Sequence, residues 1–142
     1  MAVKANHDIS SGLDTAFINS AINSNLAYRP EFVSNDYTQG KKVSVAIERE
    51  LRNCDAFYIS VAFITEGGLA PLKQVLAELR DKGIPGKILT TSYLTFTEPK
   101  ALKTLADLSN VEVRVYDSTD EGASGFHTKG YIFKEEEIYR FI

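Results

Sequence analysis

A single cysteine, Cys54, stands in the 142-residue chain, so no internal disulfide can form. It opens an apolar run, where a reduced thiol serves as a small core hydrophobe, and this fits a reducing compartment. A basic surplus is missing as well: sixteen Lys and Arg stand against nineteen Asp and Glu, for a net charge of −3 and a pI near 5.4. The chain as a whole lacks the electrostatic footprint that drives sequence-independent binding to nucleic acid, so any phosphate site must be local. Residues 1–11 carry no apolar stretch of the kind a secretory signal needs, and no run approaches bilayer-crossing length. A cytoplasmic protein without a membrane partner is expected.

What is present is an ordinary globular composition, 44% hydrophobic and 25% charged, on a length that suits one domain, residues 1–142, with its own core. An amino-terminal helical segment is expected over residues 9–53. In it Leu13, Phe17 and Ala21 recur at intervals of four after a capping Ser10, a loop with Tyr28, Phe32 and Tyr37 follows, and Val43, Ala46, Ile47 and Leu51 resume helical spacing. An α/β core is expected over 54–142. Ala56 to Phe63 is almost continuously apolar and rich in aromatic and β-branched residues, which predicts a central strand covered on both faces.

Gly67-Gly68 opens a helix with an apolar stripe of Leu69, Leu72, Val75, Leu76 and Leu79, ending near Lys82-Gly83. Lys87 to Thr91 is a second strand, and Thr97-Glu98-Pro99 starts a helix capped by Thr97 and carrying Leu102, Leu105 and Leu108. Val111 to Tyr116, His127 to Phe133 and Ile138 to Ile142 are three more strands. The order β-α-β-α-β-β-β implies parallel pairing with right-handed crossovers, closed by an antiparallel hairpin: a mixed sheet flanked by helices. The last strand stops without a turn or polar tail, as in a piece of a longer protein.

The chemistry concentrates in Gly125-Phe126-His127-Thr128-Lys129-Gly130-Tyr131-Ile132-Phe133, where a loop delivers a histidine and a lysine onto a strand. Strand side chains alternate, so His127 and Lys129 share one side of the sheet and Thr128 takes the other. A neutral imidazole is a competent nucleophile at phosphorus, and an ammonium offsets charge on the non-bridging oxygens without a metal or cofactor. On spacing alone, a surface histidine and a solvated edge lysine are the better account of the pair.

These residues resemble the first part of the H-x-K-x-x-x-x-D signature of the phospholipase D superfamily. Asn53 to Thr65, Gly83 to Leu102 and Val111 to Tyr116 resemble the phospholipase D-like domains that precede bacterial DEAD/DEAH-box helicases. The resemblance implies a phospholipase D-like fold and a nuclease or phosphodiesterase acting on DNA through a phosphohistidine. His127 and Lys129 would be catalytic, with Lys129 also binding phosphate. It further implies a second half-site, from a homodimer or from later in the same chain, and an ATP-binding motor outside these residues. This sequence departs from the signature at Lys134, where the family has aspartate. Glu135 is the candidate substitute for orienting the histidine, although Glu135, Glu136 and Glu137 equally read as a solvated turn. The competing function is a non-catalytic module that holds a nucleic-acid phosphate to position the helicase.

Overall fold

The computed structural model describes residues 33–117 and 126–142. The expected helix from Ser10 to Asn25 and most of the loop after it lie outside the described residues. Two compact units divide the chain, Met1–Gly40 and Lys41–Ile142. Of the first, the described part holds a turn built on Asp36, whose Oδ1 accepts from the backbone N–H of Thr38 and Gln39 at 3.0 and 3.2 Å.

The second unit is an α/β fold on a mixed five-stranded sheet. Its elements are α1 (Val43–Asn53), β1 (Ala56–Val61), a short α2 (Glu66–Leu69), α3 (Lys73–Lys82), β2 (Gly86–Thr91), α4 (Pro99–Ala106), β3 (Val111–Tyr116), β4 (Lys129–Glu135) and β5 (Ile138–Phe141). The strands lie in the order β3-β2-β1-β4-β5. The first three are parallel, while β4 and β5 form an antiparallel hairpin beside β1. The predicted central strand is thus the middle one.

Local chemistry accounts for the helices. The apolar stripe from Leu69 to Leu79 predicts one helix, but it is broken into α2, a 3₁₀ turn at Ala70–Leu72 and α3. Pro71 lacks the N–H that a continuous helix needs there. α3 ends on Gly83, whose φ of 68° only glycine adopts without strain, and the amides of Gly83 and Ile84 donate to the carbonyls of Arg80 and Leu79. α4 starts at Pro99 with Glu98 before it and no side-chain cap. Thr97 therefore does not act as the expected cap; it is buried, and its hydroxyl donates to the Thr91 carbonyl at 2.8 Å.

The core lies on one face of the sheet. Phe57 and Ile59 of β1, Ile88 of β2 and Phe133 of β4 meet Ile47 and Leu51 of α1, Val75, Leu76 and Leu79 of α3, and Ala101 and Leu105 of α4. α1 belongs to this core, although the sequence reading divides the chain at Cys54. On the opposite face Tyr58 and Leu89 are exposed and Phe141 is 70% exposed. The expectation that β1 is covered on both faces therefore fails among the described residues: Phe57 and Ile59 are buried while Tyr58 between them is not.

Cys54 is buried, with its Sγ donating to the Leu51 carbonyl at 3.3 Å, and burial pushes its thiol up to about 11. The thiolate is thus disfavoured in the folded state. Stability is complete below the unfolded value near 9.0 and falls as pH rises towards 11. A disulfide reagent at pH 8 should label Cys54 slowly in native protein and quickly in urea, and fast native labelling would contradict this burial.

The sheet centre yields a second test. A Cβ built at Gly86 would strike the outer edge of the Phe57 ring, which is itself fully buried. Gly86→Ala should lose about 1–3 kcal/mol in urea denaturation, because overpacking here cannot be relieved at the surface. Ile59→Asp should unfold the protein, since an unpaired buried carboxylate costs several kcal/mol against a total of roughly 5–15. A thermal melt of either variant matching the parent would refute the core assignment.

Candidate phosphate site at the carboxyl edge of the sheet

Three parallel strands end together at Val61, Thr91 and Tyr116, and the antiparallel β4 begins beside them at Lys129, which pairs with Val61. In open α/β sheets the carboxyl ends of parallel strands are the usual place for ligands, because the connecting loops diverge there. His127 and Lys129 both lie at this edge.

Register fixes their orientation. Lys129 and Val61 lie on the helix-bearing face, and the His127 Nε2 reaches within 2.9 Å of the Lys129 Nζ. Thr128 turns the other way and meets Ser60, Oγ1 to Oγ, at 3.2 Å. A lysine ammonium has three donors and no acceptor, so in this contact Nε2 accepts and the ring N–H lies on Nδ1. Both side chains are exposed.

Aromatic rings border the pair. The Lys129 Nζ sits 5.7 Å from the centroid of Phe63, within cation–π range, and the His127 ring is 6.5 Å from the same ring. Phe63 in turn meets Phe96 edge to face at 5.8 Å, and Phe126 meets Tyr116 at 6.0 Å. The sequence reading overlooked Phe63 and Phe96 as site residues. The signal was the placement of one at the end of a strand and the other just before a helix start, both at the carboxyl edge.

The loop that brings Phe96 in is tightly built. It contains a 3₁₀ turn, Tyr93–Thr95, in which Leu94 and Thr95 hold φ of 50° and 56°. Left-handed backbone costs a non-glycine residue about 1–2 kcal/mol, so two in succession need anchoring. Thr91 and Thr97 provide it: the Thr91 Oγ1 accepts from the Tyr93 amide at 2.7 Å, and the buried Thr97 hydroxyl donates to the Thr91 carbonyl. On the other flank, α2 is tied to α4. Glu66 accepts from the Lys73 ammonium and the Thr104 hydroxyl, which hold its carboxyl below the usual range, while its backbone N–H donates to Glu98 at 2.7 Å.

Glu135 is elsewhere. It closes the far end of β4, about 20 Å of strand away from Lys129. There it accepts from the Arg140 guanidinium at 3.0 Å. The next two residues form the hairpin turn, with Glu136 at φ 53° and its amide donating to Asp55 at 2.7 Å. Glu136 and Glu137 thus form the turn, and the structure does not bring Glu135 to His127.

Two recesses lie apart from the pair. One of about 320 Å³ opens at the amino ends of β1 to β3, around Pro85, Gly86 and Asn110. The other, about 570 Å³, lies on the sheet face opposite the helices, between Leu89, Tyr58 and Phe141. Arg114 and Glu112 border the second, but they pair with each other at 2.6 Å. Neither recess includes His127 or Lys129, and neither gathers groups suited to catalysis. Among the described residues, no cluster of three or more His, Cys, Asp or Glu side chains is placed to hold a metal ion. No described helix is long and apolar enough to cross a membrane.

No protein-family model matches the chain, and no curated protein is significantly similar to it in sequence.

The strained turn is open to direct test. Leu94 is exposed, so Leu94→Gly removes the left-handed penalty at little loss of packing, against glycine's own entropic cost of about 0.5–1 kcal/mol. The variant should be as stable as the parent or up to about 1 kcal/mol more stable in urea denaturation. A loss of more than about 1 kcal/mol would show that the turn is not strained as described.

Proposed function

We propose that the chain is a phospholipase D-like module whose His127 and Lys129 engage a phosphodiester of nucleic acid, DNA by preference, as one half of a catalytic site. The observation that carries this reading is the 2.9 Å contact between the Lys129 ammonium and the His127 Nε2 at the carboxyl edge of the parallel strands. That contact places a cation and a nucleophilic nitrogen where one phosphate could meet both.

In the proposed reaction, the ammonium leaves Nε2 for a non-bridging oxygen as the phosphate arrives, which frees the nitrogen lone pair. Nε2 then attacks phosphorus in line, the bond to the leaving oxygen breaks, and an acid from the second half-site protonates that oxygen. Water later cleaves the phosphohistidine. Lys129 neutralises charge that grows on the phosphoryl oxygens in the transition state, a contribution that gains strength as water is excluded. The exposure of both side chains fits a half-site, since it leaves room for a second half to cover the phosphate and complete the dry pocket. In the same proposal, the module delivers or processes the strand of a DEAD/DEAH-box helicase motor.

A second reading, a phosphate-binding module without turnover, is favoured by the position of Glu135, which leaves the expected orienting acid far from His127. The two readings separate by mutation. In the catalytic reading, His127→Ala lowers cleavage of a nucleic-acid phosphodiester by about a thousandfold or more and leaves binding nearly intact. Lys129→Ala weakens both, and cleavage persists in EDTA because imidazole, not a metal-bound water, is the nucleophile. Cleavage that survives His127→Ala, or that needs added magnesium, would rule the mechanism out. In the binding reading neither variant alters cleavage above background, and only Lys129→Ala lowers affinity, with a shallower salt dependence.

The shared site makes a further demand. If a second copy supplies the other half, specific activity should rise with protein concentration over the range in which sedimentation shows dimer forming. An active, strictly monomeric protein without a second H-x-K would sink the half-site model.

A further inference from the structure

We propose that Phe96, backed by Phe63, is a stacking platform for an unpaired base, so that the strand held at Lys129 is single-stranded. The proposal rests on the phosphodiester reading of the His127–Lys129 pair and names its substrate class.

Exposed aromatics scattered over a surface need no explanation, but these are not scattered. Ala62 and Ile64 are buried on either side of Phe63, while Phe63 itself is 39% exposed and Phe96 is 54% exposed. The two rings stand 5.8 Å apart with 69° between their planes. They form a corner, in which a base lying on one ring meets the edge of the other. The same Phe63 ring that makes one wall of this corner carries the Lys129 ammonium 5.7 Å from its centroid. A cation for the backbone and a flat apolar surface for the base are therefore adjacent, the combination by which single strands are held.

The platform is also held ready. Phe96 follows the strained turn, its amide donates to the Tyr93 carbonyl at 3.3 Å, and the next residue is locked to Thr91 by a buried hydroxyl. A ring fixed before binding loses little further freedom when a base arrives.

Charge decides between single strand and duplex. With a net charge of −3 the protein gains little from displacing counterions, and one lysine contributes a salt slope of only about −0.7 on a single strand. Stacking of one base changes affinity by about five- to a hundredfold and does not depend on net charge. In a duplex both faces of each base are already covered by neighbours, so the platform has nothing to stack on.

The test uses the full chain and fluorescence anisotropy with three probes: a short oligothymidylate, the same backbone with its bases removed, and a duplex of equal length. Oligothymidylate should bind about tenfold more tightly than either of the others. Phe96→Ala should reduce it to the level of the base-free strand, while Lys129→Ala weakens all probes and flattens the salt dependence. The chain has no tryptophan, so Phe96→Trp introduces a single reporter. It should retain the preference and lose fluorescence as oligothymidylate binds. Equal binding of the base-free strand or the duplex, or an unchanged preference in Phe96→Ala, overturns the platform. If Lys129→Ala still weakens binding in that case, the phosphate reading stands alone. No effect of Lys129→Ala, or no binding of any probe, overturns both.

Discussion

The contact of Phe57 with Gly86 and Phe133 at the centre of the sheet is the constraint on which the rest depends. Phe57 pairs with Gly86 on β2 and with Phe133 on β4, and both phenylalanines are buried against the helices. Glycine is required at position 86 because the ring occupies the space a side chain would take. A one-residue slip of β4 would turn Phe133 out of the core, and one of β2 would set Pro85 or Lys87 in place of Gly86 opposite the Phe57 ring, so the register of three strands is specified from this point. That same register sets Lys129 opposite Val61 and brings His127 over Phe63. The site geometry is thus inherited from a packing contact at the middle of β1.

Much of this was legible before any coordinates. Alternation and turn residues gave the five strands along the chain, the parallel pairing of the first three, the antiparallel closing hairpin, and the shared side of His127 and Lys129, but not the antiparallel seam between β1 and β4. The misses have physical causes. Tyr58 made β1 look apolar throughout, yet a tyrosine is content at the surface of a sheet beside other large side chains, and hydrophobicity alone does not say which face is covered. Thr97 satisfies every local rule for a helix cap, but its hydroxyl has a better partner in the Thr91 carbonyl, which only the fold brings close. Glu135 was placed by counting from a motif. Distance along an extended strand grows so quickly that a shift of one or two positions never returns a side chain to the other end.

The sheet face opposite the helices, open among the described residues, and the exposed His127–Lys129 pair are different kinds of openness. The face is broad and apolar with its charges paired among themselves, and nothing there converges on a point. At the carboxyl edge the exposed groups converge: an ammonium, an imidazole and two rings within a few ångströms of one another. Chemistry follows convergence more than volume, which is why the larger recess is not the candidate site.

The position of β4 has a consequence for how the site survives thermal motion. Sheets fray from their edges inward, and the outermost strands here are β3 and β5. β5 pairs with Ile132 to Glu135 of β4, so the stretch that bears Lys129 is held by the ladder to β1 alone. Transient opening of β5, whose side chains are all exposed, would leave the ladder between β1 and β4 closed. The lysine thus rides on the β1–β4 ladder and not on the hairpin, while Phe96 beside it is carried by a loop that Thr91 and Thr97 anchor.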